Sequence, residues 1–265
     1  MTARAIEVLR DADVIAAEDT RHSRRLLQHF GIATPMLSLH DHNERKQCEN
    51  VVARLLQGQT VALISDAGTP LISDPGFRLV RSARAAGVPV KAVPGPCAVT
   101  AALSIAGLPT DRFVFEGFLD NKAGARRARL EELASEARTI VIYASPRRLQ
   151  AELQAVADVM GEDRPAVLLR ELTKAFESSY GSTIGELLQL VRVDADMQKG
   201  EMVLLLGGAQ AVDDTAATDR LLAALLAELP LKTAVSVAAQ ATGVARNTLY
   251  QRALEFQHKK PPDDA

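Results

Sequence analysis

Short apolar runs alternate with longer segments of helical periodicity through most of the chain. The apolar runs predict strands over residues 14–17, 36–39, 61–64, 88–93, 113–118, 139–143, 166–169 and 202–206, with an edge strand over 178–182. The segments between them predict helices over 5–10, 23–30, 49–57, 79–86, 98–106, 122–138, 149–160 and 184–191. Strands and helices that alternate in this way are typical of an α/β fold built on parallel sheets.

The pattern restarts after the sequence GLP at residues 107–109, which predicts a domain boundary near residue 110. The predicted organisation is a domain over 1–110, a domain over 111–208, a small and polar linker over 209–218, and a helical appendix with a tail over 219–265. Within the appendix, the spacing around Gly243 fits two short helices joined by a tight turn. Such a pair is either a helix-turn-helix unit or an ordinary helical hairpin.

The composition is that of a globular protein, with 47% apolar and 24% charged residues and a net charge of −2. This charge gives no global basic field for nucleic acid, and 4% aromatic residues without tryptophan favour charge and shape over base stacking. The two cysteines, Cys48 and Cys97, have no metal-site spacing and suit a reducing compartment. No apolar run is long enough to span a membrane, so we predict a cytoplasmic protein without a membrane partner.

The loop "SDAGTPLISDPG" at residues 65–76 directly follows a predicted strand and contains two glycines and two prolines. Glycine lets a ligand approach the main chain closely, and proline fixes a loop without needing a partner for an N–H group. A plain surface turn has the same composition, so the loop alone does not decide between the two. Further loops follow other predicted strands: "PGPCAVTAAL", "YASPRR" and "RELTK", with "KGEMVLLL" leading into the last strand.

Together these motifs resemble the tetrapyrrole-methylase-like superfamily of S-adenosylmethionine (SAM) enzymes, and within it the ribosomal RNA small subunit methyltransferase I family. The resemblance extends from about residue 4 to residue 208, and the helical appendix fits the C-terminal part of that family. It implies two αβα domains with SAM bound in the cleft between them, and a homodimer. It also implies methylation of the ribose 2′-hydroxyl of a cytidine in the decoding region of 16S rRNA, within the small ribosomal subunit.

The resemblance also implies which residues contact the cofactor. These are Asp66, Ala67, Gly68, Thr69, Ile72, Cys97, Ala98, Tyr143, Ala144, Leu172 and Gly200. Asp66 is the carboxylate best placed to meet a cationic or hydroxyl-bearing part of SAM, although capping the next turn is an equally ordinary role. Cys97 stands where the family often has serine, so we interpret it as a small packing residue. Tyr143 belongs either to the cleft or to the core.

The sequence "RELTK" at residues 170–174 offers candidate catalytic groups. A ribose hydroxyl is weakly nucleophilic, so methyl transfer benefits from an in-line approach and from a base or a cation that favours the alkoxide. Glu171 is the candidate base, and Arg170 and Lys174 are candidate stabilisers of a phosphate or the alkoxide. Alternatively, Glu171 only pairs with one of these cations. The cluster "HDHNE" at 40–44 predicts a role in ordering the cleft or lining the RNA entrance, and no metal is expected.

Several cations are candidates for contacts to RNA phosphates, which position a nucleic acid without specifying its sequence. They are Arg24, Arg25, Lys122, Arg126, Arg127, Arg129, Arg147 and Arg148. A solvated helix face is the alternative interpretation of the cluster between 122 and 129.

The sequence departs from the family pattern at two places. The family has a first strand and a Gly-Asn-x-x-Asp loop before its first helix, whereas this sequence opens with "MTARAIEVLR", already in that helix. We therefore expect either a start further upstream or a product with a weakened sheet and cleft. The loop "YASPRR" has Ala144 and Arg147 where the family shows Glu and His. Two alternatives to rRNA methylation follow: methylation of a tetrapyrrole-like small molecule, or a SAM- or RNA-binding module without catalysis.

Overall fold

The computed structural model describes residues 1–194, 197, 199–209 and 215–258. The chain divides into two compact units, Met1–Ala209 and Gln210–Ala265. Each unit is described by itself below.

The first part of the larger unit is built on a three-stranded parallel sheet with the order β2-β1-β3. Its strands and helices are α1 (Ala3–Asp11), β1 (Val14–Ala17), α2 (Thr20–His29), β2 (Met36–Ser38), α3 (Glu44–Leu56), β3 (Val61–Ile64), α4 (Phe77–Ala85) and α5 (Ala98–Ile105). Helices α1 and α2 contribute to the core on one face of this sheet, and α3 and α4 contribute to the core on the other face. This arrangement is an αβα sandwich.

The second part is built on a five-stranded sheet with the order β4-β5-β8-β6-β7. Its elements are β4 (Phe113–Phe118), α6 (Ala123–Leu133), β5 (Thr139–Ala144), a 3₁₀ turn (Pro146–Arg148), α7 (Leu149–Met160), β6 (Pro165–Arg170), β7 (Ser178–Thr183), α8 (Ile184–Val193) and β8 (Met202–Leu206). Strand β8 lies in the middle and is antiparallel to both β5 and β6. The sheet is therefore mixed, which corrects the expectation of parallel strands throughout, and β7 is the predicted edge strand.

The faces of the second sheet are covered unequally. Helices α6, α7 and α8 bury one face in a large core that contains the fully buried Leu130, Leu153 and Ile184. The other face is covered by α5, whose small side chains Val99 and Ala102 pack against it. Helix α5 thus lies within the predicted domain 1–110 yet packs on the second sheet. The boundary near residue 110 stays a prediction.

The predicted strand over 88–93 is wrong, because this segment forms no regular structure. No strand of the described chain pairs with it, and most of its residues are exposed. An apolar run forms a strand only when a neighbouring strand satisfies its backbone N–H and C=O groups. The predicted helix over 122–138 is also too long, since α6 ends at Leu133.

The smaller unit contains helices α9 (Thr215–Glu228), α10 (Leu231–Thr242) and α11 (Arg246–His258). Gly243 follows α10 in the left-handed conformation, with a φ of 71°, and makes the tight turn that the sequence predicted before α11. Leu222, Val235 and Leu249 belong to a core shared by the three helices. Of the predicted linker 209–218, residues 210–214 lie outside the described residues, and the chain is helical from Thr215 onward. The tail after residue 258 also lies outside them.

Arg164 joins three segments of the larger unit at the end of the second sheet. Its guanidinium donates hydrogen bonds to the carbonyl oxygens of Gly207 at 2.7 Å, Ala134 at 2.9 Å and Glu136 at 3.1 Å. The residue is 8% exposed, so water replaces these bonds poorly. The side chain therefore fixes the end of β8 against the turn that follows α6.

We predict that Arg164→Met lowers the free energy of unfolding by about 2–5 kcal/mol, because three carbonyl groups lose their donor while the aliphatic volume is kept. The exposed Arg138, which pairs with Glu136 at the same turn, provides the matched control. Arg138→Met should change stability by less than about 1 kcal/mol. Thermal and denaturant unfolding of the three proteins measure this difference, and equal losses in the two variants would contradict the role given to Arg164.

Candidate active site

The loop at residues 65–76 has an unusual concentration of left-handed backbone. Gly68 and Gly76 have φ values of 74° and 124°, and Leu71 and Ser73 have values of 73° and 65°. Residues with a Cβ atom adopt this conformation at an energetic cost. Such strain persists only where the surroundings hold the backbone in place.

Glu44 holds the end of this loop. Its carboxylate is 6% exposed, and Oε1 accepts hydrogen bonds from the backbone N–H groups of Gly76 at 3.2 Å and Arg78 at 2.9 Å. These groups belong to the first turn of α4, where a negative charge is stabilising. Glu44 belongs to the sequence cluster for which we predicted a role in ordering the cleft. The contact shows how it orders the loop.

Two further contacts tie the loop to its neighbours. The hydroxyl of Thr69 donates a hydrogen bond of 2.9 Å to the carbonyl oxygen of Pro96, just before α5. At Gly117 in β4, a Cβ atom would lie 2.9 Å from the hydroxyl of Ser73, so the absence of a side chain there lets the loop approach the second sheet. The loop is therefore tied to the segment before α5 and packs closely against β4 of the second sheet.

Carboxylates gather where this loop leaves the first sheet. Asp66 accepts a hydrogen bond of 3.2 Å from the backbone N–H of Asp19, and the Asp66 N–H in turn bonds to the Glu18 carboxylate. Burial raises the pKa of Glu18, and the charge of Asp66 adds to this shift. Burial also raises the pKa of Asp74 to about 6, and the charges of Glu18, Asp66 and Asp41 act in the same direction. The site therefore has an excess of negative charge that favours a cationic ligand.

Asp74 was missed by the sequence analysis. It is the second aspartate of the loop that we quoted, and nothing in a single sequence marks its partial burial. Its pKa depends on Glu18 and Asp41 from two other segments, which only the fold brings close to this loop.

A partly buried apolar wall faces the second sheet. Ile72, Cys97, Ala98, Tyr143 and Leu172 all pack against the core cluster between α5 and this sheet, so the structure brings these predicted cofactor residues together. The ring of Tyr143 lies 5.0 Å from that of Phe115 and 5.4 Å from that of Phe118, and burial raises the pKa of its hydroxyl to about 12.

Ala144 has a different position. It is 3% exposed and belongs to the core on the opposite face of the sheet, as the alternation of side chains along β5 requires. The structure therefore separates its side chain from that apolar wall.

The loop after β6 holds the candidate catalytic residues in fixed positions. Oε1 of Glu171 accepts a hydrogen bond of 2.7 Å from the backbone N–H of Glu201 and pairs with Nζ of Lys174 at 3.0 Å. Lys174 also pairs with Glu201 at 3.1 Å, and Nε of Arg170 donates to the carbonyl oxygen of Lys199 at 2.8 Å. The backbone of Glu201 and the ammonium of Lys174 lower the pKa of Glu171. A lowered pKa makes a carboxylate a weaker base.

Gly200 makes room for this arrangement. A Cβ atom at Gly200 would lie 2.7 Å from both Cγ and Oε1 of Glu171, which is closer than such atoms come in proteins. Its φ of 87° is a second reason for glycine. Glycine at this position therefore sets the place of the Glu171 carboxylate.

The predicted RNA contacts fall into two groups. Arg24, Arg25, Lys122 and Arg147 are exposed, and within the described chain their side chains form no ion pair or hydrogen bond, although the backbone N–H of Lys122 bonds to Asp120. Arg127 and Arg129 pair with acidic side chains: Arg127 with Glu131, and Arg129 with Glu116 and Glu132. Arg148 pairs with the buried Glu152 at 3.2 Å. The side chains of the first group are therefore open to solvent.

Arg126 is a correction to the predicted basic patch. It is 8% exposed, and its guanidinium donates to the carbonyl oxygens of Asp120 and Asn121. Its position on the inner face of α6 follows from helical periodicity, because Leu130 is four residues further and fully buried. Arg126 thus closes the turn before α6 and is turned away from phosphates.

A groove beside α2 lies apart from the predicted cofactor residues. It has a volume of about 460 Å³ and is lined by residues that include Arg24, Gln28 and Thr34. Within the described residues, no cluster of three or more His, Cys, Asp or Glu side chains is arranged to hold a metal ion. Nor does that part of the chain contain a helix with the length and hydropathy needed to cross a membrane.

Comparisons with known proteins match both units. Residues 1–188 match the family described as "Tetrapyrrole (Corrin/Porphyrin) Methylases", and residues 212–257 match the "RsmI C-terminal HTH domain". Among solved structures, the methyltransferase CobJ is similar with a TM-score of 0.56 and 19% identity over 79% of this chain and 88% of that chain. Diphthine synthase is similar with a TM-score of 0.57 and 16% identity over 78% of this chain and 84% of that chain. These structures share the fold.

The fold and the family match define a SAM-dependent methyltransferase of the tetrapyrrole methylase class. Proteins called "Ribosomal RNA small subunit methyltransferase I" are similar over nearly the whole chain. The Pseudomonas aeruginosa protein is 54% identical over 97% of this chain and 92% of its own length. The Escherichia coli O157:H7 protein is 52% identical over 97% of this chain and 91% of its own length. The chain belongs to the ribosomal RNA small subunit methyltransferase I family.

We predict that the raised pKa of Asp74 makes stability fall as the pH rises. The pKa is about 6 in the folded protein and close to the ordinary value of 3.8 in the unfolded chain, so the folded state binds more protons between these values. The contribution of Asp74 is therefore most favourable below about pH 4 and is lost as the pH passes through 6. One pKa unit corresponds to about 1.4 kcal/mol, which solvent around this half-buried group reduces.

The variant Asp74→Asn tests this dependence. Its free energy of unfolding at pH 7.5 should exceed that of the native protein by roughly 1–2 kcal/mol, and the difference should vanish near pH 4. Denaturant unfolding across pH 4–8 measures both curves. Parallel curves over the whole range would contradict the shifted pKa.

We also predict that Gly200→Ala lowers the free energy of unfolding by more than backbone strain alone accounts for. Gly58 is a matched control, because its φ is 88° against 87° at Gly200 and nothing lies within 4 Å of a Cβ atom there. Gly58→Ala should cost about 1–2 kcal/mol of stability. Gly200→Ala should cost a further 1–3 kcal/mol, roughly, because it displaces Glu171 and Lys174.

Thermal unfolding and SAM titration of both variants separate the two contributions. Gly200→Ala should also weaken SAM binding, whereas Gly58→Ala should leave it unchanged. Equal losses of stability, with unchanged SAM affinity in both, would show that the contact with Glu171 does not matter.

Proposed function

We propose that this protein transfers the methyl group of SAM to the ribose 2′-hydroxyl of a cytidine in the decoding region of 16S rRNA. We further propose that it does so in the cytoplasm, as a homodimer, on the small ribosomal subunit. The observation that carries the proposal is the similarity over 97% of the chain to proteins with small subunit rRNA methyltransferase activity in their names. The site described above supports it with a chemically suitable arrangement.

The residues around the loop 65–76 fit SAM. Its sulfonium and amino groups are cationic and suit the carboxylates Glu18, Asp66 and Asp74, which act on one another through their negative charges. Its adenine suits the apolar wall with Ile72 and Leu172. When bound, SAM supplies an electrophilic methyl group. The protein residues hold and orient it.

We propose distinct roles for the predicted cofactor residues, which the contacts of the loop support. Ala67 and Gly68 present backbone, and Gly68 lets the main chain turn toward the ligand with its φ of 74°. Thr69 keeps this backbone in place through its bond to Pro96. The side chains of Cys97 and Ala98 supply small apolar surface at the start of α5. Cys97 acts as a packing residue in this proposal.

We propose that Lys174, together with Arg170, stabilises the alkoxide of the acceptor ribose or an adjacent phosphate. Lys174 is 43% exposed and held at a fixed place by Glu171 and Glu201. Glu171 remains the nearest candidate for a base, but its lowered pKa favours the role of positioning Lys174. A fixed cation lowers the free energy of an oxyanion without needing to move during the reaction.

The exposed cations of the larger unit are proposed to bind RNA phosphates. Arg24, Arg25, Lys122 and Arg147 have no acidic partner within the described chain, so a phosphate need not displace an existing ion pair. The smaller unit contributes a helix-turn-helix arrangement built from α10 and α11. Phosphate contacts of this kind position the substrate, and the active site then selects the ribose.

We predict that the purified protein transfers a tritiated methyl group from SAM to 30S subunits. The label should be found in 16S rRNA on a 2′-O-methylated cytidine after nuclease digestion and chromatography. The variant Lys174→Met should lower the rate by about 10²-fold or more while SAM still binds, because the fixed cation is lost. Glu228→Gln, in the smaller unit, is a control of an exposed charge.

Two outcomes would overturn the proposal. Label in a tetrapyrrole such as uroporphyrinogen, with none in 30S subunits or 16S rRNA, would assign a small-molecule substrate instead. Normal SAM binding by calorimetry, with no transfer to any of these acceptors, would indicate a binding module without catalysis.

A further inference from the structure

Phe176 is an aromatic side chain that the fold leaves in water. It is 75% exposed, the largest exposed fraction of any aromatic residue in the part of the chain that the structure describes. Burying a phenyl ring is favourable relative to leaving it exposed to water. Phe176 does not contribute this stabilisation to the fold.

The loop that carries Phe176 is held in a defined conformation. Thr173 has a φ of 65°, and its backbone N–H bonds to the carboxylate of Glu177. Further backbone bonds join Lys174 to Glu171 at 3.0 Å and Glu177 to Lys174 at 3.2 Å. Phe176 lies inside this bonded turn. The ring is therefore presented by a rigid support, which lowers the entropy cost of binding a ligand to it.

The loop lies at the edge of the candidate active site. Arg170 at the end of β6 pairs with Met202 of β8, and Met202 pairs with Ala144 at the end of β5, so these positions share one end of the sheet. Leu172 packs into the apolar wall that contains Tyr143. Lys174, the proposed charge-stabilising residue, is two positions before Phe176. The exposed ring thus stands beside the acceptor side of the site.

The surroundings of the ring favour a flat, polar-edged ligand over a broad protein surface. Its exposed neighbours Lys174, Ala175 and Glu177 are charged or small, so the ring does not belong to a wide apolar patch in this loop. An exposed aromatic face and a cation on one turn suit a nucleotide, because the ring can stack on a base while the cation meets a phosphate.

We propose that Phe176 stacks on a nucleobase of the RNA substrate and so positions the acceptor ribose next to Lys174. This inference rests on the proposed function, since it assumes an RNA acceptor. The sequence alone favoured recognition by charge and shape; Phe176 adds one stacking contact to them. Because every base has an aromatic face, the contact orients the substrate and does not by itself select its sequence.

The test compares Phe176→Ala with the native protein in binding to 30S subunits and in methyl transfer. Loss of a base–aromatic stack costs about 1–3 kcal/mol, so the Kd for 30S subunits should rise by roughly 5- to 150-fold, and kcat/KM should fall similarly. Phe176→Trp should retain binding, and Phe176→Leu, which keeps apolar volume without an aromatic face, should not. The SAM affinity, the melting temperature and the sedimentation coefficient should stay unchanged in all three variants.

Leu56→Ala is the matched control for removing an exposed apolar side chain. Leu56 is 64% exposed at the C-terminal end of α3, which precedes the start of β3 and so lies at the other end of the first sheet from the loop 65–76. This variant should bind and methylate 30S subunits normally.

Three results would contradict the inference, and a fourth would separate it from the proposed function. Equal binding of 30S subunits by Phe176→Ala and the native protein would overturn it. A weaker SAM affinity would assign the ring to the adenine of the cofactor, and a changed sedimentation coefficient would assign it to a contact between copies of this chain. If the native protein binds 30S subunits in a manner that depends on Phe176 but transfers no methyl group, the proposed function fails while the stacking contact stands.

Discussion

The site depends on left-handed backbone that is held at two loops. In the described chain, the residues other than glycine with positive φ are Leu71, Ser73, Glu171 and Thr173. They all lie in the two loops that follow β3 and β6. Backbone of this kind costs free energy, so each loop needs contacts that hold it. Glu44 holds the first loop through α4, and the backbone of Glu201 holds the second.

The two loops differ in how their charged groups are paired. In the first loop the turn directs Asp66 and Asp74 toward Glu18, and the resulting excess of negative charge suits a cationic cofactor. In the second loop the turn places Glu171 between Lys174 and the backbone of Glu201, so a cation remains at a fixed place. Methyl transfer from a sulfonium to an oxygen benefits from groups that hold the reactants and the developing charge at fixed places. Each αβα part provides one of these loops.

Arginine serves two purposes in this structure. Arg126 and Arg164 point inward and satisfy backbone carbonyl oxygens at turns, which stabilises the second sheet and its helices. Arg24 and Arg147 remain exposed and without an acidic partner in the described residues. A guanidinium is suited to both tasks, because its planar donors match several oxygens at once. Helical position and burial, not composition, separate the two groups.

The sequence by itself determined most strands and helices, because apolar runs and helical periodicity record local burial, as at Val61–Ile64 and Leu149–Met160. Its ordered loop motifs also indicated the family. Tertiary structure decided what depends on partners distant in the chain. The apolar run 88–93 forms no strand, because no strand of the described chain pairs with it. Strand β8 is antiparallel to its neighbours in the second sheet, and the Arg126 side chain is buried against backbone carbonyl oxygens. The same reason applies to the site: the pKa of Asp74 and the anchoring of Glu171 arise from groups that only folding brings within contact distance.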